Sequence, residues 1–331
     1  MQILRPRRRT KEKYLISSER VENSRIVPQV LANRTTLRFK PMKQRNSLLS
    51  ELPSGIEESA GPTRQYVLGD SECELRRLVS QSRLIADITE QVMKRAGIGH
   101  AMNVLDCGCG VGDVSFLAAK LVGSEGHVLG IDRSVAGIDR ARERAAEAGF
   151  LNVSFEVVDD LASFRPRVPL DAVVGRLILM YVQEPAAILS HFVPYIRRGG
   201  LVVFHELVLS MSRSVPSCPL LEKCGGWIHD TFVQAGADID MGWKLFATFQ
   251  RAGLPGPEML LASPVSAGPD SLMYRHIAET VRSLLPMMER YGVASAEEVM
   301  VDNLADRLRA EMTAAGTVCA TPVLIGAWTH L

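Results

Sequence analysis

The sequence has almost no net charge, few aromatic residues and no long apolar run. Its 38 Lys and Arg balance 37 Asp and Glu, leaving a formal charge of +1. The chain as a whole therefore has no electrostatic bias toward nucleic acid or a membrane surface. No apolar stretch reaches the roughly 18 residues of a membrane span, and no secretory leader is visible. The six cysteines form no paired Cys-x-x-Cys set, which argues against a zinc site and for free thiols in a reducing cytoplasm. What is present is a chain of 331 residues, 47% of them hydrophobic, long enough to bury a substantial core. A small-molecule partner is expected, with no metal, no nucleic acid and no membrane; a homodimer stays open.

Four stretches differ in composition. Residues 1–60 begin with Arg5, Arg7, Arg8, Arg9, Lys11 and Lys13, mix Ser, Asn and Pro, and show no sustained periodicity. They read as a basic, disordered extension. A transit peptide is disfavoured by Glu12, Glu19 and Glu22, and Met42 is an alternative start. Nucleic-acid binding by this arm is disfavoured because no aromatics interleave with the arginines. Residues 61–100 read as a helical leading segment, with Leu75, Leu78, Val79, Ile85, Ile88 and Val92 at helical spacing up to Gly97. Residues 101–210 alternate strands and helices. Strands are expected at 102–106, 127–131, 153–158, 170–174 and 201–204, and helices at 111–122, 135–148 and 185–196, the last closed by Gly199-Gly200. This alternation predicts an α/β fold with a parallel sheet covered on both faces. Residues 211–331 read as a helical cap, carrying Trp227, Trp243 and Phe246, with a short strand at 259–261 and a last one at 322–328 that complete the sheet.

The sharpest motif is Val104-Leu-Asp-Cys-Gly-Cys-Gly-Val-Gly-Asp113, a strand turning abruptly into a helix. Glycines there permit positive φ and let a ligand approach the backbone. The third glycine, Gly112, falls one place early for the dinucleotide pattern, and an acidic residue stands beside the turn. Both features count against a nicotinamide cofactor. They suit a ligand carrying an ammonium and a sulfonium, as S-adenosylmethionine does, with Asp106 beside those positive groups. Asp132, at the end of the second strand and followed by Arg133, is placed to accept ribose hydroxyls, although it also reads as a helix cap. After the third strand, Asp159 or Asp160 can accept from an adenine amino group while Leu161 packs on the ring. Three such features at successive strand ends share the carboxyl edge where open α/β sheets bind ligands.

With these motifs the sequence resembles the class I S-adenosylmethionine-dependent methyltransferases over residues 66–206. VLDCGCGVGD, LGIDRS at 129–134 and FEVVDD at 155–160 are similar to that family's first three motifs. DAVVGRLILMY at 171–181 and RRGGLVVFHE at 197–206 resemble its fourth and fifth strands. The resemblance implies a Rossmann-like seven-stranded sheet whose last strand is antiparallel. It implies contacts from Gly108 and Gly110 to the methionine part of the cofactor, and from Arg176 to the methionine carboxylate or the substrate. Tyr66 and Gln81 belong to the leading segment that folds over the cofactor in similar enzymes. The stretch from Tyr66 onward resembles bacterial small-molecule methyltransferases of secondary metabolism, whose acceptors include indole-like rings and prenyl chains.

Methyl transfer from a sulfonium is an in-line displacement, so a base is needed only if the acceptor must lose a proton. His205 and Glu206 end the fifth strand and are candidates, as is His229 on the cap. Competing readings are an NAD(P)-dependent oxidoreductase and a non-catalytic cofactor-binding regulator. A nucleic-acid methyltransferase is disfavoured because Gly175-Arg176-Leu177-Ile178 stands where an Asn/Asp-Pro-Pro-Tyr type of motif is expected.

Overall fold

Period-two alternation of apolar side chains sets the layers. In β1 (Asn103–Cys107), Val104 faces one side of the sheet and Leu105 the other, and both are buried. The computed structural model describes residues 71–331; the expected extension over 1–60 and Tyr66 lie outside the described residues. The first described element is α1 (Glu72–Ala96), capped by the Ser71 hydroxyl and closed by Gly97 in the left-handed region. After β1 come α2 (Asp113–Val122), β2 (His127–Asp132), α3 (Val135–Ala148), β3 (Val153–Val157), β4 (Leu170–Arg176), α4 (Pro185–Phe192) and β5 (Ile196–Leu207). Then follow β6 (Arg213–Val215), α5 (Pro219–Gln234), α6 (Met241–Arg251), β7 (Glu258–Ala262), β8 (Val265–Ser266), α7 (Met273–Tyr291), α8 (Ala296–Val299), α9 (Leu304–Ala315), β9 (Val318–Ala320) and β10 (Leu324–His330).

Seven strands form one sheet in the order β3-β2-β1-β4-β5-β10-β7. The pairs among β1 to β5 are parallel, and β10 runs antiparallel to both β5 and β7. The seven-stranded sheet with an antiparallel last strand is thus present. One face buries Val104, Val128, Ala172, Val174, Val203 and Trp328 against α1 and α2, and α3 continues that layer through Phe116, Ile138 and Phe155. The other face is covered by α4 and α6. No described helix is long and apolar enough to cross a membrane.

Three expectations need correction. The helix read over 185–196 ends at Phe192, passes through a 3-10 turn at Val193–Tyr195, and gives way to β5 at Ile196. Pro194 lacks the N–H to continue the ladder. Gly199 and Gly200 therefore do not close a helix. They sit inside β5, where Gly199 at φ +77° lets the strand bulge between the pairs Leu170↔Ile196 and Ala172↔Leu201. Next, α6 is not part of the cap: it packs on β5, β10 and α4, and its Trp243 and Phe246 turn outward, with Trp243 54% exposed. The cap consists of α5, α7 and α9, with α7 central and resting on α1. Finally, a second sheet of order β6-β9-β8 went unread, because strands of two or three residues carry no usable alternation.

Candidate active site

Five parallel strands deliver their carboxyl ends to one edge, and the glycine turn after β1 shapes its centre. Gly108, Gly110 and Gly112 have φ of +68°, +52° and +88°, a region that side chains with a Cβ rarely adopt. The chain is pinned there: the N–H groups of Gly108 and Cys109 donate to the Ile131 carbonyl at 2.9 and 3.0 Å. At Gly108 a Cβ would lie 2.6 Å from Ile178 Cδ1, so this glycine is demanded by space as well as by torsion.

Asp132 braces the turn. Its Oδ2 accepts from Gly110 N–H and its Oδ1 from Ser134 N–H, both at 2.8 Å. The cap of α3 is Ser134, whose hydroxyl accepts from Gly137 N–H, so Asp132 is not the helix cap. Asp113, at the start of α2, pairs with Arg144 of α3 at 2.7 Å.

A cavity of about 410 Å³ opens at this edge, within the roughly 300–1,000 Å³ of small-molecule sites. Of the residues read from sequence, Gln81, Gly108, Gly110, Asp132, Arg133, Asp159, Leu161 and Arg176 line it. Asp159 rather than Asp160 is in the wall; the Asp160 carboxylate accepts from Ala162 N–H instead. Arg176 is half-buried against α1, where it donates to Thr89 Oγ1 at 3.1 Å. Among the described residues no carboxylate lies within ion-pair distance of it, and burial pushes its pKa down against the nearby charges of Asp113 and Asp106. A desolvated guanidinium facing a cavity without an ion-pair partner suits an anionic ligand group.

Four further expected site residues, besides Asp160, are not in the wall. Asp106 is buried beneath the turn, where Ser115 Oγ donates to its Oδ2 at 2.6 Å and Oδ1 has no partner. Burial pushes its carboxyl up to about 7, opposed by the Ser115 hydrogen bond and the Arg176 charge. His205 is 2% exposed and is pushed down to about 3, first by burial and then by Arg176. The Thr89 hydroxyl gives its one proton to the Ile85 carbonyl, so His205 Nδ1 is the donor in their 3.3 Å contact. Glu206 is fully buried, and its carboxylate accepts from the backbone N–H groups of Ile178, Leu179 and Met180. Burial nevertheless lifts it to about 8, because desolvation outweighs those three bonds. His229 pairs with its exposed neighbour Asp230 and lies away from the cavity. The geometry therefore opposes catalytic roles for His205, Glu206 and His229: two are enclosed by their own bonding and burial, and the third faces solvent.

The rest of the wall was not read from sequence. Leu177 sits at φ +55° just after β4, a strained position of the kind that clusters at functional sites. Ile178 and Met180 follow it in the 3-10 turn that Glu206 holds. Opposite them stand Ile228 and Phe232 of α5 and Met273, His276 and Ile277 of α7. Only the adjacency of Leu177 and Ile178 to Arg176 offered a signal; the cap residues had none.

Residues 98–231 match the family described as methyltransferase domain. Aklanonic acid methyltransferase DauC of Streptomyces sp. (strain C5) is 34% identical over 37% of this chain and 52% of its own. Phosphoethanolamine N-methyltransferase 1 of Zea mays is 28% identical over 44% of this chain and 28% of its own. The chain thus spans about half, or less, of the length of these relatives. A solved S-adenosylmethionine-dependent methyltransferase from Aquifex aeolicus superposes with a TM-score of 0.41 at 19% identity, covering 59% of this chain and 90% of that one.

Proposed function

Starting from the match of residues 98–231 to the methyltransferase-domain family, we propose that this protein is a class I, S-adenosylmethionine-dependent methyltransferase that methylates a small, predominantly apolar organic acceptor. When bound, S-adenosylmethionine supplies a methyl group activated on a sulfonium. The residues fit it. The Cβ-free turn at Gly108 and Gly110 leaves room for its methionine part, and Arg176 offers a cation to the carboxylate. Asp132 and Arg133 are assigned to the ribose and Asp159 and Leu161 to the adenine, a reading supported by all four lining the cavity. Gln81 of α1 closes over this end from the leading segment.

The observation that carries the reading is the single cavity shared by the glycine turn, Arg176 and two strand-end carboxylates. The acceptor end is built from Leu177, Ile178, Met180, Ile228, Phe232 and Met273. These side chains exclude water and hold an apolar body in line with the methyl group, which is the chief requirement of the displacement. With Glu206 bonded to three amides and His205 sealed, neither serves to take a proton from the acceptor. The relatives are named for aklanonic acid and for phosphoethanolamine; the apolar lining favours an acceptor without a phosphate.

The test is calorimetric titration of the full chain with S-adenosylhomocysteine and, separately, NAD⁺. The expected result is saturable binding of the first and none of the second. Binding of NAD⁺ alone, or of neither, would falsify the proposal. A regulator would bind S-adenosylhomocysteine yet release none from S-adenosylmethionine with any apolar acceptor.

A further inference from the structure

His276 on α7 is 7% exposed and lies in the cavity wall. No hydrogen bond to its ring is present among the described residues, and Nδ1 is closed off without a partner, leaving the Nε2 end to face the cavity. Buried polar atoms are nearly always satisfied in native proteins, so an unbonded imidazole in a cavity wall marks a place for a ligand.

Its surroundings narrow the ligand. Burial, and after it the positive charge of Arg77, pushes His276 down to about 3, so the ring is neutral. Arg77 itself is bonded to Glu74 through Nε and Nη2 and to Gln81 through Nη1. Thr280 gives its hydroxyl proton to the His276 carbonyl of its own helix. Tyr181, also in the wall, keeps its phenolic proton because burial raises it. The carboxylates of the wall, Asp113, Asp132 and Asp159, all stand on the sheet side. An ammonium at the cap end would meet Arg77, and the carboxylate behind it, Glu74, is already taken up by two hydrogen bonds from Arg77 and is not in the wall. A neutral hydroxyl can bond to a neutral imidazole as either donor or acceptor.

We infer that His276 is the acceptor-recognition residue of this site, a positioning residue whose neutral ring hydrogen-bonds one hydroxyl on an otherwise apolar acceptor. This rests on the methyltransferase reading of the cavity, and it deepens that reading by naming the acceptor class. The ring holds the acceptor's orientation and does not carry away a proton.

The experiment uses the full chain saturated with S-adenosylhomocysteine and three probes of similar apolar body: 2-naphthol, naphthalene and 1-naphthylmethylamine. Affinities are read by fluorescence or calorimetry. The wild-type complex is expected to bind 2-naphthol about tenfold tighter than naphthalene, the worth of one hydrogen bond, and the amine no better than naphthalene. H276F should erase that preference, and H276Q, which keeps a donor and an acceptor, should restore part of it. S-adenosylhomocysteine affinity should stay within about twofold in both variants, with the melting temperature of H276F unchanged or raised, since an unsatisfied polar atom is removed. No hydroxyl preference in the wild type, or a preference that survives H276F, overturns the inference, as does a loss that H276Q does not rescue. Should H276F not fold, H276Q and H276L carry the same comparison. Failure to bind S-adenosylhomocysteine at all would instead sink the methyltransferase reading itself, a separate measurement made first.

Discussion

The two ends of the cavity are built by different means. The sheet end is made of backbone: a glycine turn held to the Ile131 carbonyl and strand-end carboxylates spaced by one βα unit each. The cap end is made of side chains drawn from α1, α5, α7 and the turn after β4, separated by up to two hundred residues and joined only by packing. The sheet end is rigid because parallel pairing fixes its geometry. The cap end is set by which side chains happen to face inward, so it is where acceptor preference can vary while cofactor binding stays the same.

The largest expected effect tests the backbone end. Gly108→Ala must place a Cβ at positive φ and against Ile178, at about 1–2 kcal/mol for the torsion and about 1–3 kcal/mol for the overlap. S-adenosylhomocysteine affinity should fall roughly 30-fold or more in calorimetry. An unchanged affinity would mean that the turn is not the ligand's seat and that the contrast between the two ends is false.

Arg176→Met sharpens the same comparison from the side-chain side. It removes a charge-assisted contact of about 1.5–2 kcal/mol, the low end for a half-buried group, so cofactor affinity should drop about 10- to 30-fold, with naphthol binding to the saturated complex unaffected. A selective loss of acceptor binding would move Arg176 to the other end.

Both ends also carry displaced titrations. Asp106 beneath the turn and Glu206 behind the cap-side wall hold their protons up to about 7 and about 8 in the fold, but ionise below pH 5 in the unfolded chain. The folded state then binds more protons, so these groups make stability fall as pH rises. His205 and His276, pushed down to about 3, act oppositely, and their contribution is lost as pH falls below about 6.5. Above that the carboxyls dominate, and the buried thiols of Cys107, Cys109 and Cys224, pushed up by burial, add a smaller effect of the same sign toward pH 8. The melting temperature should decline by about 2–4 °C between pH 6.5 and 8, and E206Q should flatten the decline. A rise over this interval would refute the burial argument for Glu206.

The smallest effect is a control on the corrected cap. Trp243→Ala on α6 should leave cofactor and probe affinity within error, since Trp243 faces solvent away from the cavity. A change at either end would return α6 to the site.

The seven-stranded core was legible because its signals are local. Apolar alternation marks the strands, and a glycine or an aspartate punctuates the ends of β1, β2 and β3, so Gly108, Gly110, Asp132 and the pair Asp159-Asp160 could be named from neighbours a few residues away, while only the fold selected Asp159. Gly199 misled for a related reason: a glycine pair stops a helix or bulges a strand with equal ease, and only the pairing of β4 with β5 distinguishes the two. His205 and Glu206 were correctly placed at a strand end, but their burial depends on α1 and on the turn at Ile178–Met180, which the strand itself does not encode. His276 carried no local signal, because an inward histidine on an amphipathic helix looks like any core residue.

Sequence alone determined the sheet, its carboxyl edge and most of the residues that line the cavity there, since backbone torsions and strand-end positions follow from residue type over short distances. Tertiary packing alone decided which titratable groups are enclosed and which face the cavity. That outcome depends on desolvation by residues far apart in the chain, a long-range quantity that no short window contains.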